Sequence, residues 1–164
     1  MKESAKRIQG ILNQQGLDIQ VIEFKELTRT SQEAALAIGC AVGQIAKTLI
    51  FRGKTTSKPI CIIASGKNRV DEKKIIHYIG EEIEKPDADF VLQHTGFAIG
   101  GIPPLGYHLD SKPLIDEDLM AYSDLWAAAE PKPWMCASFV LPIKVWMIWS
   151  AGVYSVRTCC TALI

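Results

Sequence analysis

Apolar side chains recur at helical spacing in several separate stretches of the chain. Residues 4–15 carry Ile and Leu three or four positions apart, and Gly16 ends that pattern. Thr30 stands three residues before Glu33, the signature of a capping box, ahead of an alanine-rich segment that stops at Gly39. Further helices are predicted at 71–79 and 86–95, and a short one near Asp118.

Other stretches alternate in polarity or are continuously apolar, as strands are. Residues 18–24 alternate, and the apolar run 47–51 is separated by a polar turn from a second run at 59–64, which predicts a hairpin. Residues 107–110 and 113–116 are also strand-like. These elements favour the α+β class: one compact domain in which helices surround a largely mixed sheet.

Composition limits the kinds of partner. The 164 residues are 48% hydrophobic, and 18 basic residues balance 18 acidic ones. A domain that mainly grips nucleic acid is usually strongly basic, so any RNA contact here is expected to be local.

Targeting and metal signals are weak. The first ten residues contain no apolar core of a signal peptide, and the sequence has no run of about 18 apolar residues. The five cysteines include no C-x-x-C pair, and the three histidines lack metal-ligand spacing. We expect a cytoplasmic protein with reduced cysteines, no membrane association, no metal and no cofactor.

A loop rich in glycine and proline is the most unusual local feature. It runs through Gly100, Gly101, Ile102, Pro103 and Pro104. Glycine lets a backbone approach a ligand closely, and proline stiffens a loop, so fixed N–H groups there could face a carbonyl or an oxyanion. A rigid turn between two strands would have the same composition.

Two polar positions adjoin the predicted hairpin. Lys47 leads into an apolar strand, so its ammonium has to reach solvent, an acidic partner or a pocket. Ser65 and Gly66 follow the second strand, where a plain turn and a polar pocket are both compatible with the sequence.

The histidines are weak candidates for catalysis. His77 lies in a helical pattern, while His94 and His108 flank the loop and could approach it. The sequence contains no G-x-S-x-G elbow, no Walker loop and no G-x-G-x-x-G. Most nucleotide-dependent enzymes are thereby excluded.

Several segments, in this order and spacing, together resemble the YbaK/EbsC editing-domain family associated with prolyl-tRNA synthetase. The resemblance covers residues from about 20 to 129 and rests on Thr30 with Glu33-Ala34-Ala35, the segment 44–51, Ala64-Ser65-Gly66 with Arg69-Val70-Asp71, Thr95-Gly96-Phe97, the loop 100–106, Ile115-Asp116 and the segment 126–129.

The resemblance implies a partly barrel-like mixed sheet and metal-independent hydrolysis of the ester in mischarged tRNA, commonly tRNA for proline, with help from the ribose hydroxyl of the tRNA. Lys47 would hold the substrate end near phosphate or ribose, and the backbone of Gly100 and Gly101 would position the ester or the water. The resemblance is also taken to place eight residues near the substrate: Thr30, Ser65, Gly66, Thr95, Ile102, Pro103, Pro104 and His108. The implied partners are the aminoacyl-adenosine end of tRNA and prolyl-tRNA synthetase.

The composition changes abruptly after residue 129. Residues 130–164 hold three of the four Trp and four charged residues: Glu130, Lys132, Lys144 and Arg157. We interpret 1–129 as the editing domain and 130–164 as an atypical apolar tail of the same domain, produced by a reading-frame shift near codon 130; a genuinely divergent C-terminus is the alternative. Such a tail has to pack on the core or pair with another chain, so a homo-oligomeric contact is expected.

Three functions remain open at this stage. The first is a free-standing deacylase acting in trans. The second is a non-catalytic module that binds tRNA or an aminoacyl-nucleotide, and the third is a regulatory protein that binds a synthetase. Cys, Ala, Ser and Thr are all compatible as the amino acid removed.

Overall fold

The computed structural model describes residues 3–14, 16, 18–23, 30–105, 107, 109–110, 113–128, 139–144, 154–156 and 160–162. Its α-helices are α1 (Glu3–Gln14), α2 (Ser31–Ile38), α3 (Glu72–Ile79) and α4 (Ala88–Thr95), and two short 3₁₀ helices span Val42–Gln44 and Glu117–Ala121.

The strands form a larger sheet and a separate pair. They are β1 (Ile22–Glu23), β2 (Ile45–Gly53), β3 (Pro59–Ser65), β4 (Asn68–Val70), β5 (Ile83–Glu84), β6 (Leu114–Asp116), β7 (Asp124–Ala128), β8 (Phe139–Lys144), β9 (Tyr154–Val156) and β10 (Cys160–Ala162). The larger sheet has the order β1-β8-β7-β2-β3-β6-β9, with β5 on the end of β2, and β10 pairs with β4.

The larger sheet is mixed, as the sequence predicts. β2 pairs antiparallel with β3 but parallel with β7, and β3 and β6 are parallel. Among the described strands the path ends at β1 and β9 and does not close, so the sheet is an open one.

Local capping explains where the helices begin. In α2 the Glu33 N–H donates to Thr30 Oγ1 at 3.1 Å, and the Thr30 N–H donates to Glu33 Oε2 at 3.1 Å, which confirms the predicted capping box. Gly39 ends this helix with a φ of +79°, a left-handed conformation that glycine adopts easily and residues with a Cβ rarely adopt. The helices predicted at 71–79 and 86–95 are confirmed as α3 and α4, with Asp71 and Asp87 as their N-caps.

The central hairpin divides the core into two clusters, one on each face of the sheet. All of β3 is buried. The first cluster joins the hairpin to α1 and to the loop that contains Phe97, Ile102 and Leu105. The second joins it to α3 through Ile75, together with Phe51 and Ile62. The alternation along β2 and β3 therefore directs neighbouring apolar side chains, such as Ile50 and Phe51 or Ile62 and Ile63, into different clusters.

Two strand predictions need correction. In the described part of the alternating segment, residues 18–23, only Ile22–Glu23 forms a strand. Tyr107, Leu109 and Asp110 are not in a strand, so that prediction is wrong for the described part of 107–110. Tyr107 and Leu109 instead pack against the first core cluster, and this packing accounts for their apolar alternation.

The tail contributes three described strands. β8 pairs with β1 and β7, β9 pairs with β6, and β10 pairs with β4. The junction 130–138 and the segment 145–149 lie outside the described residues. The division at residue 129, its reading-frame explanation and the homo-oligomeric contact stay predictions. Within the described residues, no helix combines the length and the apolar character needed to span a bilayer.

Candidate functional site

A group of buried polar side chains surrounds the turn between β3 and β4. Its centre is Asp116, which is 1% exposed and follows Ile115 at the end of β6. Asp116 Oδ2 accepts hydrogen bonds from the Ser65 N–H at 3.0 Å and from Asn68 Nδ2 at 2.8 Å, and its Oδ1 accepts from the Asp118 N–H at 3.1 Å. These three donors let the carboxylate remain buried.

Asn68 connects this carboxylate to Lys47. Its side-chain amide donates to Asp118 Oδ2 at 2.9 Å as well as to Asp116, and its backbone carbonyl accepts from Lys47 Nζ at 2.7 Å. Asn68 is 2% exposed, and Lys47 is half-buried. We call Lys47, Ser65, Asn68, Asp116 and Asp118 the Asn68 cluster.

The outer edge of the cluster carries a surface ion pair. Lys67 Nζ lies 3.1 Å from Asp118 Oδ2, and both side chains are partly exposed. The hydrogen bond from the Asn68 amide, followed by the one from the Lys67 ammonium, holds the pKa of Asp118 below its ordinary value. The hydrogen bond with Asp118 also raises the pKa of Lys67.

The backbone is tightly packed where the turn begins. The Gly66 N–H donates to the Ile45 carbonyl at 2.7 Å. A Cβ on Gly66 would lie 2.5 Å from the Val42 carbonyl oxygen and 2.9 Å from the Ser31 Cβ. Ser31 is the first residue of α2, directly after Thr30, so the turn touches the start of that helix. Ser65 Oγ donates to the Gly43 carbonyl at 2.9 Å in the same region.

The glycine- and proline-rich loop forms a second region. Thr95 is buried, where its Oγ1 donates to the Val91 carbonyl at 2.8 Å and accepts from the Phe97 N–H at 3.1 Å. Gly100 is exposed with a φ of +88°, which favours glycine. The Gly101 N–H donates to the Ala98 carbonyl at 3.0 Å, so this amide is used within the turn. The remaining predicted loop residues, Ile102, Pro103 and Pro104, are all buried.

The sheet register places Lys47 and the buried part of the loop on different faces. Lys47 pairs with Ala64, which belongs to the second core cluster. Ile102 belongs to the first cluster, with Ala46, the neighbour of Lys47. Because neighbouring residues of a strand point to opposite faces, the Lys47 side chain leaves β2 on the face that α3 covers.

The described structure therefore brings only part of the predicted site together. Lys47, Ser65 and Gly66 lie around one turn, which contacts α2 directly after Thr30. Thr95 and residues 100–104 form the second region, and His108 lies outside the described residues. Asn68 and Asp118 are not among the sequence-predicted site residues, and Asp116 enters only as part of the family resemblance. Polar residues directly after predicted buried strands are the signal that could have found them.

The Asn68 cluster has a definite chemical character. It holds one ammonium against the Asn68 carbonyl, and a lysine ammonium can also donate to a phosphate or hydroxyl oxygen of a ligand. No group of three His, Cys, Asp or Glu residues that could hold a metal ion occurs in the part of the chain that the structure describes. Cys61 is inert by position, because burial raises the pKa of its thiol to about 12.

Comparison with known sequences identifies relatives. The family model described as the aminoacyl-tRNA editing domain matches residues 25–131. An uncharacterized protein of Bacillus subtilis, YwhH, is 31% identical over 125 residues, which is 76% of this chain and 79% of YwhH. A proline–tRNA ligase of Limosilactobacillus fermentum is 30% identical over 111 residues, or 61% of this chain and 19% of the much longer ligase.

Solved structures share the fold. A crystal structure described as that of a candidate trans-editing enzyme for prolyl-tRNA synthetase matches with a TM-score of 0.83 and 33% identity, and the match covers 96% of this chain and 97% of the other. A crystal structure of a hypothetical protein matches with a TM-score of 0.75 at 20% identity, over 91% of this chain and 97% of the other, and supports the fold alone.

Proposed function

The chain belongs to the aminoacyl-tRNA editing domain family, and we propose that it hydrolyses the ester of mischarged tRNA in trans, in the cytoplasm. The proposed substrate is tRNA for proline carrying a wrong amino acid. Two observations support this choice of tRNA: the similarity to part of a proline–tRNA ligase, and the structural match to a candidate trans-editing enzyme for prolyl-tRNA synthetase.

The observation that carries the proposal is the fixed position of Lys47. A lysine side chain normally samples many rotamers, whereas this one is half-buried with its ammonium 2.7 Å from the Asn68 carbonyl. A cation held in place can bind phosphate or ribose oxygens of the terminal adenosine without first being ordered. In this proposal, Lys47 holds the nucleotide end of the substrate.

An aminoacyl ester requires little further chemistry from the protein. The ester is already activated, so correct orientation and a few preorganised donors can supply much of the rate enhancement. The ribose hydroxyl of the tRNA would assist the attack. No side-chain nucleophile is needed in this scheme.

The loop would contact the aminoacyl end. Gly100 is exposed, while the Gly101 amide is used within the turn, so we assign the positioning of the ester or the water first to Gly100. The participation of Gly101, Thr95, Ile102, Pro103 and Pro104 stays a prediction, because these five residues are buried whereas Gly100 is exposed.

The experiment is a deacylation assay with tRNA for proline charged separately with Cys, Ala, Ser and Thr. Release of one or more of these amino acids above the rate in buffer would support the proposal and identify the substrate. Release of none, together with binding of the charged tRNA, would replace it with the non-catalytic tRNA-binding function. Co-purification with prolyl-tRNA synthetase would test the partner.

A further inference from the structure

Asn68 has a dual role in the cluster that bears its name. Its backbone carbonyl accepts the hydrogen bond from the Lys47 ammonium, while its side-chain amide contacts two carboxylates. The two functions belong to one residue at the first position of a three-residue strand. The position of the carbonyl is therefore coupled to the hydrogen bonds of the side chain.

The carboxylates that hold the Asn68 amide are themselves fixed. Asp116 lies in β6, which pairs with β3, and Asp116 also accepts from the backbone N–H groups of Ser65 and Asp118. Asp118 lies in the 3₁₀ helix that directly follows β6, and its own N–H is the donor to Asp116 Oδ1. Moving the Asn68 side chain would leave a buried carboxylate without one of its donors, which is unfavourable.

The NH₂ group of the amide is suited to this position because it is neutral and carries two donor hydrogens, while the amide Oδ1 is buried with no hydrogen-bond partner among the described residues. One hydrogen can serve Asp116 and the other Asp118, as the distances of 2.8 and 2.9 Å indicate. An aspartate at this position would supply neither donor and would add a third carboxylate to the cluster. A lysine or arginine would supply donors but could not be buried here without strain, since Asn68 is only 2% exposed.

We propose that Asn68 is a positioning residue for Lys47: its amide, held by Asp116 and Asp118, fixes the carbonyl that orients the Lys47 ammonium toward the substrate. This inference rests on the proposed deacylase function. Pairing of β4 with β10, which places Ala162 opposite Asn68, is the competing way to fix the same carbonyl.

The test is a double-mutant cycle of Lys47→Ala and Asn68→Ala, with Lys67→Ala as the matched control. Lys67→Ala removes another partner of Asp118 but leaves both contacts of the Asn68 amide in place. We expect Asn68→Ala to lower kcat/KM for deacylation about 10- to 100-fold, because small displacements of a positioning group reduce rates by this order. Lys67→Ala should stay within about 2-fold of wild type, as expected for the loss of a surface ion pair.

The coupling distinguishes positioning from a general structural role. In the Lys47→Ala background, Asn68→Ala should lower the rate no further. Independent losses that multiply would overturn the inference. If circular dichroism shows that Asn68→Ala is unfolded, Asp118→Ala replaces it in the cycle. Asp118 is partly exposed, and its removal deletes one of the two contacts of the Asn68 amide. We expect Asp118→Ala to lower the rate less than Asn68→Ala, and to lower it no further in the Lys47→Ala background.

A second measurement does not depend on activity. In ¹⁵N-labelled protein, an ordered ammonium gives a slowly exchanging side-chain signal, which Lys47→Ala would assign. We expect this signal in wild type and in Lys67→Ala, and its loss in Asn68→Ala. An unchanged signal in Asn68→Ala would show that the Lys47 ammonium stays ordered without the Asn68 amide, and it would overturn the inference. If wild type deacylates no substrate, the proposed function fails, and this signal alone decides the role of Asn68.

Discussion

Replacing Gly66 by alanine tests the packing at the turn that carries the candidate site. The added Cβ would lie 2.5 Å from the Val42 carbonyl oxygen, 2.9 Å from the Ser31 Cβ and 3.0 Å from the Ile45 Cβ. The first of these atoms belongs to the backbone, and Gly66 is already tied to Ile45 by a 2.7 Å hydrogen bond. The turn therefore cannot accept the methyl group without moving relative to α2 and β2.

The size of the effect follows from this overlap. Adding a methyl group to a well-packed site destabilises a protein by about 1–3 kcal/mol. For a chain of this length, 1 kcal/mol changes Tm by about 2–4 °C, so Gly66→Ala should lower Tm by roughly 2–12 °C.

Gly10→Ala is the matched control. Gly10 lies inside α1, and its added Cβ would meet no atom within 4 Å among the described residues. Alanine in a helix interior is more favourable than glycine by about 0.5–1 kcal/mol, so this variant should unfold at a higher temperature than wild type. Both variants would be measured by circular dichroism during heating. An unchanged Tm for Gly66→Ala, or shifts of the same sign in both variants, would refute the packing at this turn.

Three further predictions concern buried and charged groups. Thr48→Val should leave the free energy of unfolding in urea unchanged or increase it by about 1 kcal/mol, because the buried Thr48 Oγ1 has no hydrogen-bond partner among the described residues; a clear loss would indicate an unrecognised partner. The depressed pKa of Asp118 contributes stability that is present above the ordinary value of 3.8 and is lost as pH falls through the folded-state pKa. Below about pH 4 the free energy of unfolding, measured by urea titration at each pH, should therefore fall more steeply in wild type than in Asp118→Asn. Parallel dependence on pH in the two proteins would contradict this. Cys61 should resist iodoacetamide in the folded protein and react after unfolding, as read by mass spectrometry of its peptide, because burial raises its pKa to about 12; labelling of the folded protein would contradict its burial.

Local signals in the sequence were sufficient to predict most helices and the central hairpin. The capping box of Thr30 and Glu33 is a short-range interaction, and the structure contains both of its hydrogen bonds. The two apolar runs form β2 and β3 because both are long, largely buried and separated by a polar turn. In these elements local preference and tertiary packing agree.

Short strands were harder to predict because long-range pairing defines them. β4 has only three residues, and their partners in β10 lie 90 to 94 positions away in the chain. Residues 107–110 show the opposite error: their alternation reflects packing of Tyr107 and Leu109 against the core, without strand pairing among the described residues. An alternation of apolar and polar residues does not by itself distinguish a paired strand from an irregular segment that packs against the core.

The candidate site was predictable only in part for the same reason. Lys47 and Ser65 stand out locally, since each adjoins an apolar run. The selection of Asn68 and Asp118 requires knowledge that β4 folds back beside β6, which the hydrogen bonds from Asn68 to both carboxylates reveal. The Lys47 side chain and the buried loop residues also lie on opposite faces of the sheet. Which face each of them occupies depends on the strand register and on the two core clusters.

The most direct test of the central claim compares Lys47→Ala with Lys67→Ala on mischarged tRNA for proline. Both variants remove one lysine, and only the first removes the ammonium that the Asn68 carbonyl holds. The measured quantity is the single-turnover rate of amino-acid release, with tRNA binding recorded in parallel. The role proposed for Lys47 predicts a loss of about 100-fold or more in Lys47→Ala and a change within about 2-fold in Lys67→Ala. Equal rates in wild type and Lys47→Ala would contradict it.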